Sequence, residues 1–264
     1  GAVGGMADTA GVRDRLSSRG EHAEDGEGKA RSQTGASQRG NSAPGGRKPA
    51  APPPMRFLCL SDVHGHFAAL QAVIEEADAR GWDQLVVCGD ICFPGPEPLK
   101  VWRALVDRQA LCVQGASDRA LALVDPHKLS ATTEVERARI ERLRLVQLEL
   151  GDLIVARLGK LPPVARLPVE SGHTLLVVHG SPADPLEPLT HDMDDDEILA
   201  LLGDEPGDVI ICGGSHVAFD RSVADVRIIG VGSVGEAPGG GHAAATIIET
   251  TPLGLDVRPF TVEL

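Results

Sequence analysis

Five short apolar runs are each followed closely by residues that can carry charge or hold a cation. Residues 57–60 lead into Ser61-Asp62-Val63-His64-Gly65-His66, residues 85–88 into Gly89-Asp90, and residues 111–113 into Gly115-Ala116-Ser117-Asp118. Further on, residues 174–178 run into His179-Gly180-Ser181-Pro182, and residues 209–212 into Gly213-Gly214-Ser215-His216. Glycine stands beside nearly every one of these groups, which lets the backbone turn sharply where the side chain must be presented. Aspartate and histidine together are a donor set suited to first-row divalent metals. Taken singly, DxH is commonplace, GD is a turn dipeptide, and a histidine after a strand is ordinary. Their joint order, each after an apolar run, points to one centre built from Asp62, His64, Asp90, Asp118, His179 and His216.

The elements that must position these residues follow from the apolar spacing. Phe67, Leu70, Val73, Ile74 and Ala77 recur at helical period after the first run, and Leu99, Trp102, Leu105 and Val106 after the second. Alternation of strand, loop and helix implies a largely parallel sheet with helical crossovers, whose ligands bind at the carboxyl ends of the strands. A long helical pattern covers about residues 134–158 and stops before Pro162-Pro163. Strands then dominate: 164–169 and 174–178 around a Glu-Ser-Gly turn, then 209–212, 226–231, 246–249 and 255–260, with one helix at about 194–202. Two sheets packed face to face with helices outside would use this inventory, so the expected class is α/β.

Residues 1–54 hold 11 Gly and 5 Pro but only Val3, Met6, Val12 and Leu16 as large apolar residues, too few to build a core. They are expected to be a disordered low-complexity tail, leaving 55–264 as one domain. The tail has 8 Lys/Arg against 6 Asp/Glu, which leaves 17 basic and 32 acidic groups in the remaining 210 residues. A body this acidic argues against a nucleic-acid patch, which needs a cationic stripe, and favours divalent cations as partners. No apolar run is long enough to cross a membrane and no signal peptide is visible, so the expectation is a cytoplasmic protein. Five cysteines, mostly inside apolar runs without CxxC spacing, are expected to be buried free thiols.

The chain resembles the calcineurin-like metallophosphoesterase superfamily, in particular its small bacterial phosphodiesterase-like branch. The resemblance runs from Met55 to Leu264 and takes in HGSPADPLEPL at 179–189, Phe219-Asp220-Arg221 and Gly232-Ser233-Val234-Gly235 as well as the five groups above. It implies a four-layer αββα sandwich of two mixed sheets flanked by helices, with a two-metal centre at the strand ends. It also implies that one metal is held by Asp62, His64, His216 and the bridging Asp90, all present. The second metal of that family uses the bridging Asp, the Asn of GNxD, the His of HG and the first His of GHxH. This chain keeps Asp90 and His179 but has Ala116 for the Asn and Gly214 for the His. Both losses fall on one metal, so the resemblance implies one tight site and a second that is weak or absent.

The function so implied is hydrolysis of a phosphodiester or phosphomonoester, in a small phosphorylated substrate, by water activated on a divalent ion, Mn or another first-row metal such as Fe, Zn or Ni. The alternative is a weak or inactive phosphoesterase-fold protein that binds a phosphorylated ligand or a protein. His66 and His242 are candidate replacements for the lost ligands. The run Asp192 to Glu197 is a helix start, since it lacks the glycine and terminal glutamate of a calcium loop.

Overall fold

Strand β1 (Arg56–Leu60) is apolar on both faces because it is covered on both. Phe57 and Cys59 enter one buried cluster, and Leu58 and Leu60 point the other way into a second, the period-two alternation of a fully buried strand. The computed structural model describes residues 54–169, 173–204 and 206–264. Apart from Pro54, the expected tail lies outside the described residues, as does the Glu-Ser-Gly turn at 170–172.

Helix α1 (Phe67–Arg80) follows β1, then β2 (Gln84–Val87), α2 (Pro98–Asp107), β3 (Leu111–Cys112), α3 (Ala116–Leu123), a 3-10 turn (Pro126–Lys128) and α4 (Glu134–Leu158). The second half runs β4 (Val164–Pro168), β5 (Thr174–Val178), α5 (Asp195–Leu202), β6 (Val209–Cys212), β7 (Ala218–Val223), β8 (Val226–Val231), β9 (His242–Thr251) and β10 (Gly254–Glu263). Two mixed five-stranded sheets result, ordered β10-β9-β1-β2-β3 and β4-β5-β6-β8-β7. Within them β1, β2 and β3 are parallel, and so are β5, β6 and β8.

Three buried clusters define the layers. Phe57, Cys59 and Val86 from the first sheet meet Leu175, Val177, Ile211 and Ile229 from the second, which is the core between the sheets. Leu58, Leu60 and Leu85 pack with Leu70, Val73 and Ile74 of α1, Val101 and Leu105 of α2, and Val146 of α4. On the far side Leu176, Val178 and Ile210 pack on Ile198 and Leu202 of α5. Each fully buried Leu, Ile or Val adds about 1.5–3 kcal/mol. This is the expected αββα sandwich.

Three elements depart from the sequence reading. Strand β7 was not expected there: its residues, AFDRSV, alternate exposed and half-buried on a sheet edge, so they carry no apolar run. Helix α3 begins inside the GxxD motif and buries only Asp118 and Leu121. The long helix is interrupted at Gly151, whose φ of 73° and ψ of 161° are not helical. Helix α5 begins as expected, with the Asp194 carboxylate accepting from Glu197 N at 2.9 Å. Five cysteines are free, four of them buried, and burial pushes their thiols upward, which leaves them unreactive. No helix among the described residues is long and apolar enough to cross a membrane.

Parallel pairing brings the loops after β1, β2 and β3 to one edge, and backbone bonds stitch them together. His64 N donates to Asp90 O (2.9 Å), and Gly65 N donates to Ile91 O (2.8 Å). From the other sheet, Gly213 N donates to His179 O (3.0 Å), and the loop after β8 closes on the first, with Gly235 N donating to Asp62 O (2.9 Å).

Candidate metal centre

Two aspartates are anchored in the same way. One oxygen of Asp62, Oδ2, accepts from Gly214 N at 3.0 Å, and one oxygen of Asp90, Oδ1, accepts from Ser117 N at 2.8 Å. The remaining oxygens face imidazoles. Asp62 Oδ1 lies 3.3 Å from His216 Nε2 and 3.8 Å from His64 Nε2, while Asp90 Oδ2 lies 3.8 Å from His64 Nε2 and 3.6 Å from His179 Nε2. Close packing of Gly115 on Asp90 holds this arrangement, since a Cβ there would stand 2.2 Å from Asp90 Oδ1.

The three histidines share a second regularity. His64 Nδ1 bonds the Phe93 carbonyl (2.5 Å), His179 Nδ1 the Cys88 carbonyl (2.8 Å) and His216 Nδ1 the Glu236 carbonyl (3.0 Å). A carbonyl can only accept, so Nδ1 carries the proton in each ring and Nε2 is left to face the carboxylates. Fixing the ring through Nδ1 is how proteins orient imidazole metal ligands. His64 Nε2, in a residue 6% exposed, is buried without a hydrogen-bond partner, and the fully buried Asp62 Oδ1 has none beyond its 3.3 Å ion pair with His216 Nε2. Buried polar atoms are rarely left so, and a cation between them accounts for both.

Separations agree with that. Two donors each about 2.1 Å from one ion stand roughly 3.0–4.2 Å apart, the range of the distances above. Asp62, His64 and His216 form one triple of converging donor atoms, and Asp62, Asp90 and His179 another. Asp62 belongs to both, so the side around His179 has three donors to draw on rather than the two expected from its motifs. His179 is nevertheless its one donor not shared with the other side. Neither the Ala116 methyl nor Gly214, whose Cβ would lie 3.4 Å from His179 Nε2, adds a ligand atom.

Backbone strain collects at the same place. Asp62, His64, Asp90 and His216 have φ of 53°, 49°, 54° and 60°, a region non-glycine residues seldom adopt. Such residues cluster where side chains must be aimed for function.

Electrostatics follow from the packing. Burial works to raise the Asp62 carboxyl, but His216, with the charges of His179 and His64, outweighs it and holds the group below the usual carboxylate range. The same contact with Asp62 pushes His216 up to about 9, against its partial burial, with help from Glu236. Without an ion, then, His216 keeps a proton on the atom a metal would use.

Asp118 is placed differently from the other five. Its carboxylate accepts from Asp90 N (2.9 Å), Ile91 N (3.0 Å) and Gly115 N (3.0 Å), and it is not among the clustered donors. Burial and the neighbouring Asp90 charge push it up to about 6 against these bonds. Expected from its motif to be catalytic, it is tied by these bonds to the backbone of the Asp90 and Gly115 loops. His66 precedes α1, and burial lowers its imidazole below the usual range. His242 bonds the Gly240 carbonyl at 3.1 Å. Neither belongs to the converging triples.

One group escaped the sequence reading. Glu236 Oε2 lies 3.6 Å from His64 Nε2. Its signal was adjacency: it directly follows the Gly232-Ser233-Val234-Gly235 motif. A cavity of about 460 Å³ opens beside the cluster, lined by His64, Asp90, Phe93, Ser117, Arg139 and Glu236 among others.

Fold and site together define a metallophosphoesterase-type centre at the strand ends of an αββα sandwich. A family model for the calcineurin-like phosphoesterase superfamily domain matches residues 55–252, and the chain belongs to that superfamily. Among solved structures, a hypothetical protein from Pyrococcus horikoshii is similar at 22% identity and a TM-score of 0.64, over 80% of this chain and 88% of that one. A metallophosphoesterase from Sphaerobacter thermophilus is similar at 24% identity and a TM-score of 0.62, over 79% and 88%. No curated protein matches the chain.

Proposed function

We propose that this chain is a metal-dependent phosphoesterase that works around one tightly held divalent ion, with a second site impaired by Ala116 and Gly214. One observation carries the reading: the buried His64 Nε2, which has no hydrogen-bond partner, and the buried Asp62 Oδ1 face one another and His216 Nε2 at ligand spacing. When bound, a divalent ion there supplies Lewis acidity toward a phosphoryl oxygen and lowers the pKa of water.

The chain's own residues do the rest. Asp62, His64, Asp90 and His216 hold the ion, and Ser117 N and Gly214 N hold the two carboxylates that face it. Arg139, on the same cavity wall and without an ion pair among the described residues, offers the one arginine of that wall to a phosphate. Phe93 and Pro94 give the cavity an apolar side for the ester's organic part. The chain with Mn2+ is expected to hydrolyse an activated phosphodiester, and the rate should disappear on removing the metal and return on adding it. A metal-loaded protein that turns over neither a phosphodiester nor a phosphomonoester supports the second reading. That reading is a phospho-ligand-binding or protein-binding role, favoured by the absent ligand atoms at Ala116 and Gly214.

A further inference from the structure

Three carboxylates, not two, surround the unpartnered nitrogen of His64. Asp62 Oδ1, Asp90 Oδ2 and Glu236 Oε2 lie 3.8, 3.8 and 3.6 Å from Nε2, and that nitrogen makes no hydrogen bond. Glu236 lies outside the triples of donor atoms within 4.8 Å of one another, but three negative groups set around one nitrogen repel each other unless a cation draws them together. The backbone of Glu236 is tied into the centre at both its N–H and its carbonyl. Its N–H donates to Ser233 Oγ at 2.9 Å, Ser233 Oγ donates to the Asp62 carbonyl at 3.1 Å, and its own carbonyl accepts from His216 Nδ1 at 3.0 Å. The residue that orients one histidine of the site thus presents its carboxylate to another.

We infer that Glu236 is a further carboxylate ligand of the ion held by Asp62, His64, Asp90 and His216. This rests on the metal reading above and deepens it. Two imidazoles with three carboxylates make an oxygen-rich set of five, which suits a six-coordinate ion such as Mn2+ better than the tetrahedral preference of Zn2+. Glu236, 40% exposed, also lines the cavity beside the cluster. The extra carboxylate also accounts for how a centre lacking the second set of ligands can be complete around a single ion.

Equilibrium Mn2+ binding, read by the EPR signal of the free ion, tests this on the full chain and on E236Q, E236D and D62N. Glu236 is exposed, so its variants should fold as the wild type does, and a thermal melt checks them. E236Q should weaken Mn2+ binding by about tenfold or more and weaken Zn2+ binding less. E236D keeps the charge but withdraws the oxygen by one methylene, and it should also weaken Mn2+ binding. E236Q that binds Mn2+ like the wild type overturns the inference and leaves the metal reading standing. E236D that binds like the wild type while E236Q does not overturns it too, since charge alone would then suffice. Wild type that holds no Mn2+, or D62N that holds it equally well, overturns the metal reading itself.

Discussion

The two sides of the metal centre are built on equally anchored aspartates, yet they are furnished very differently. Around His64 and His216 the donors converge from the loops after β1 and β6, and two buried atoms there lack a hydrogen-bond partner. Around His179 the carboxylates are borrowed from the first side, and the two remaining positions carry a methyl and a glycine. Anchoring therefore does not tell the two sides apart. Under the function proposed above, the number of unshared donors does, because two ions drawing on the same two carboxylates must divide the charge that holds them.

The largest expected effect comes from breaking the shared group. Asp90→Asn should cut Mn2+ affinity by about 100-fold or more, because Asp90 Oδ2 serves His64 and His179 alike. His179→Ala should leave the first ion within about threefold of wild type, since a ligand of the other side is not needed to complete it. Calorimetric titration of both variants gives the contrast directly, and equal losses would abolish the distinction between the sides.

Restoring the missing donors should sharpen the comparison from the opposite direction. Ala116→Asn with Gly214→His should add a second ion, visible as a doubled metal content and as coupled Mn2+ EPR signals. A stability penalty should accompany it. Gly214 has φ of 71°, and a Cβ there comes within 3.2 Å of Pro188 Cβ, so the strain of about 1–2 kcal/mol should lower Tm by about 2–8 °C. A double variant with unchanged metal content would mean that the pocket around His179 is closed to a second ion.

Proton competition should act on the first side. The His216 pKa is raised from 6.5 to about 9 by Asp62, so in the ion-free chain the stability it contributes is present below 6.5 and fades as pH rises through about 9. Mn2+ must displace that proton, and its affinity should rise by up to about tenfold per pH unit between 7 and 9 and then level off. Titrations at pH 7, 8 and 9 check this, and an affinity flat across that range would remove His216 from the ligand set.

The smallest effect is expected outside the ligands. Arg139→Ala should raise KM for an activated phosphodiester by about fivefold or less, the size of an exposed ion pair, with metal content unchanged. Steady-state kinetics separates it from a ligand loss, which would lower kcat with the bound metal.

How much of this was legible in the sequence depended on the reach of each interaction. Strands such as Leu175 to Val178 are buried on both faces and so read as unbroken apolar runs. Edge strand β7, with Asp220 and Arg221 turned outward, had no such signal. The candidate ligand residues were visible because each follows closely on its strand. The partners that aim them were not, since the Phe93, Cys88 and Glu236 carbonyls come from 29, 91 and 20 residues away. The surroundings of Asp118 were hidden for the same reason: spacing revealed a carboxylate, while only packing revealed that backbone N–H groups donate to it. Glu236 sat beside a motif without any metal-type spacing of its own.

Metal stoichiometry of the purified full chain after dialysis against excess Mn2+ tests the central claim most directly. One Mn2+ per chain, held through removal of the excess, is the result this account predicts. Two tightly held ions, or none, would contradict it.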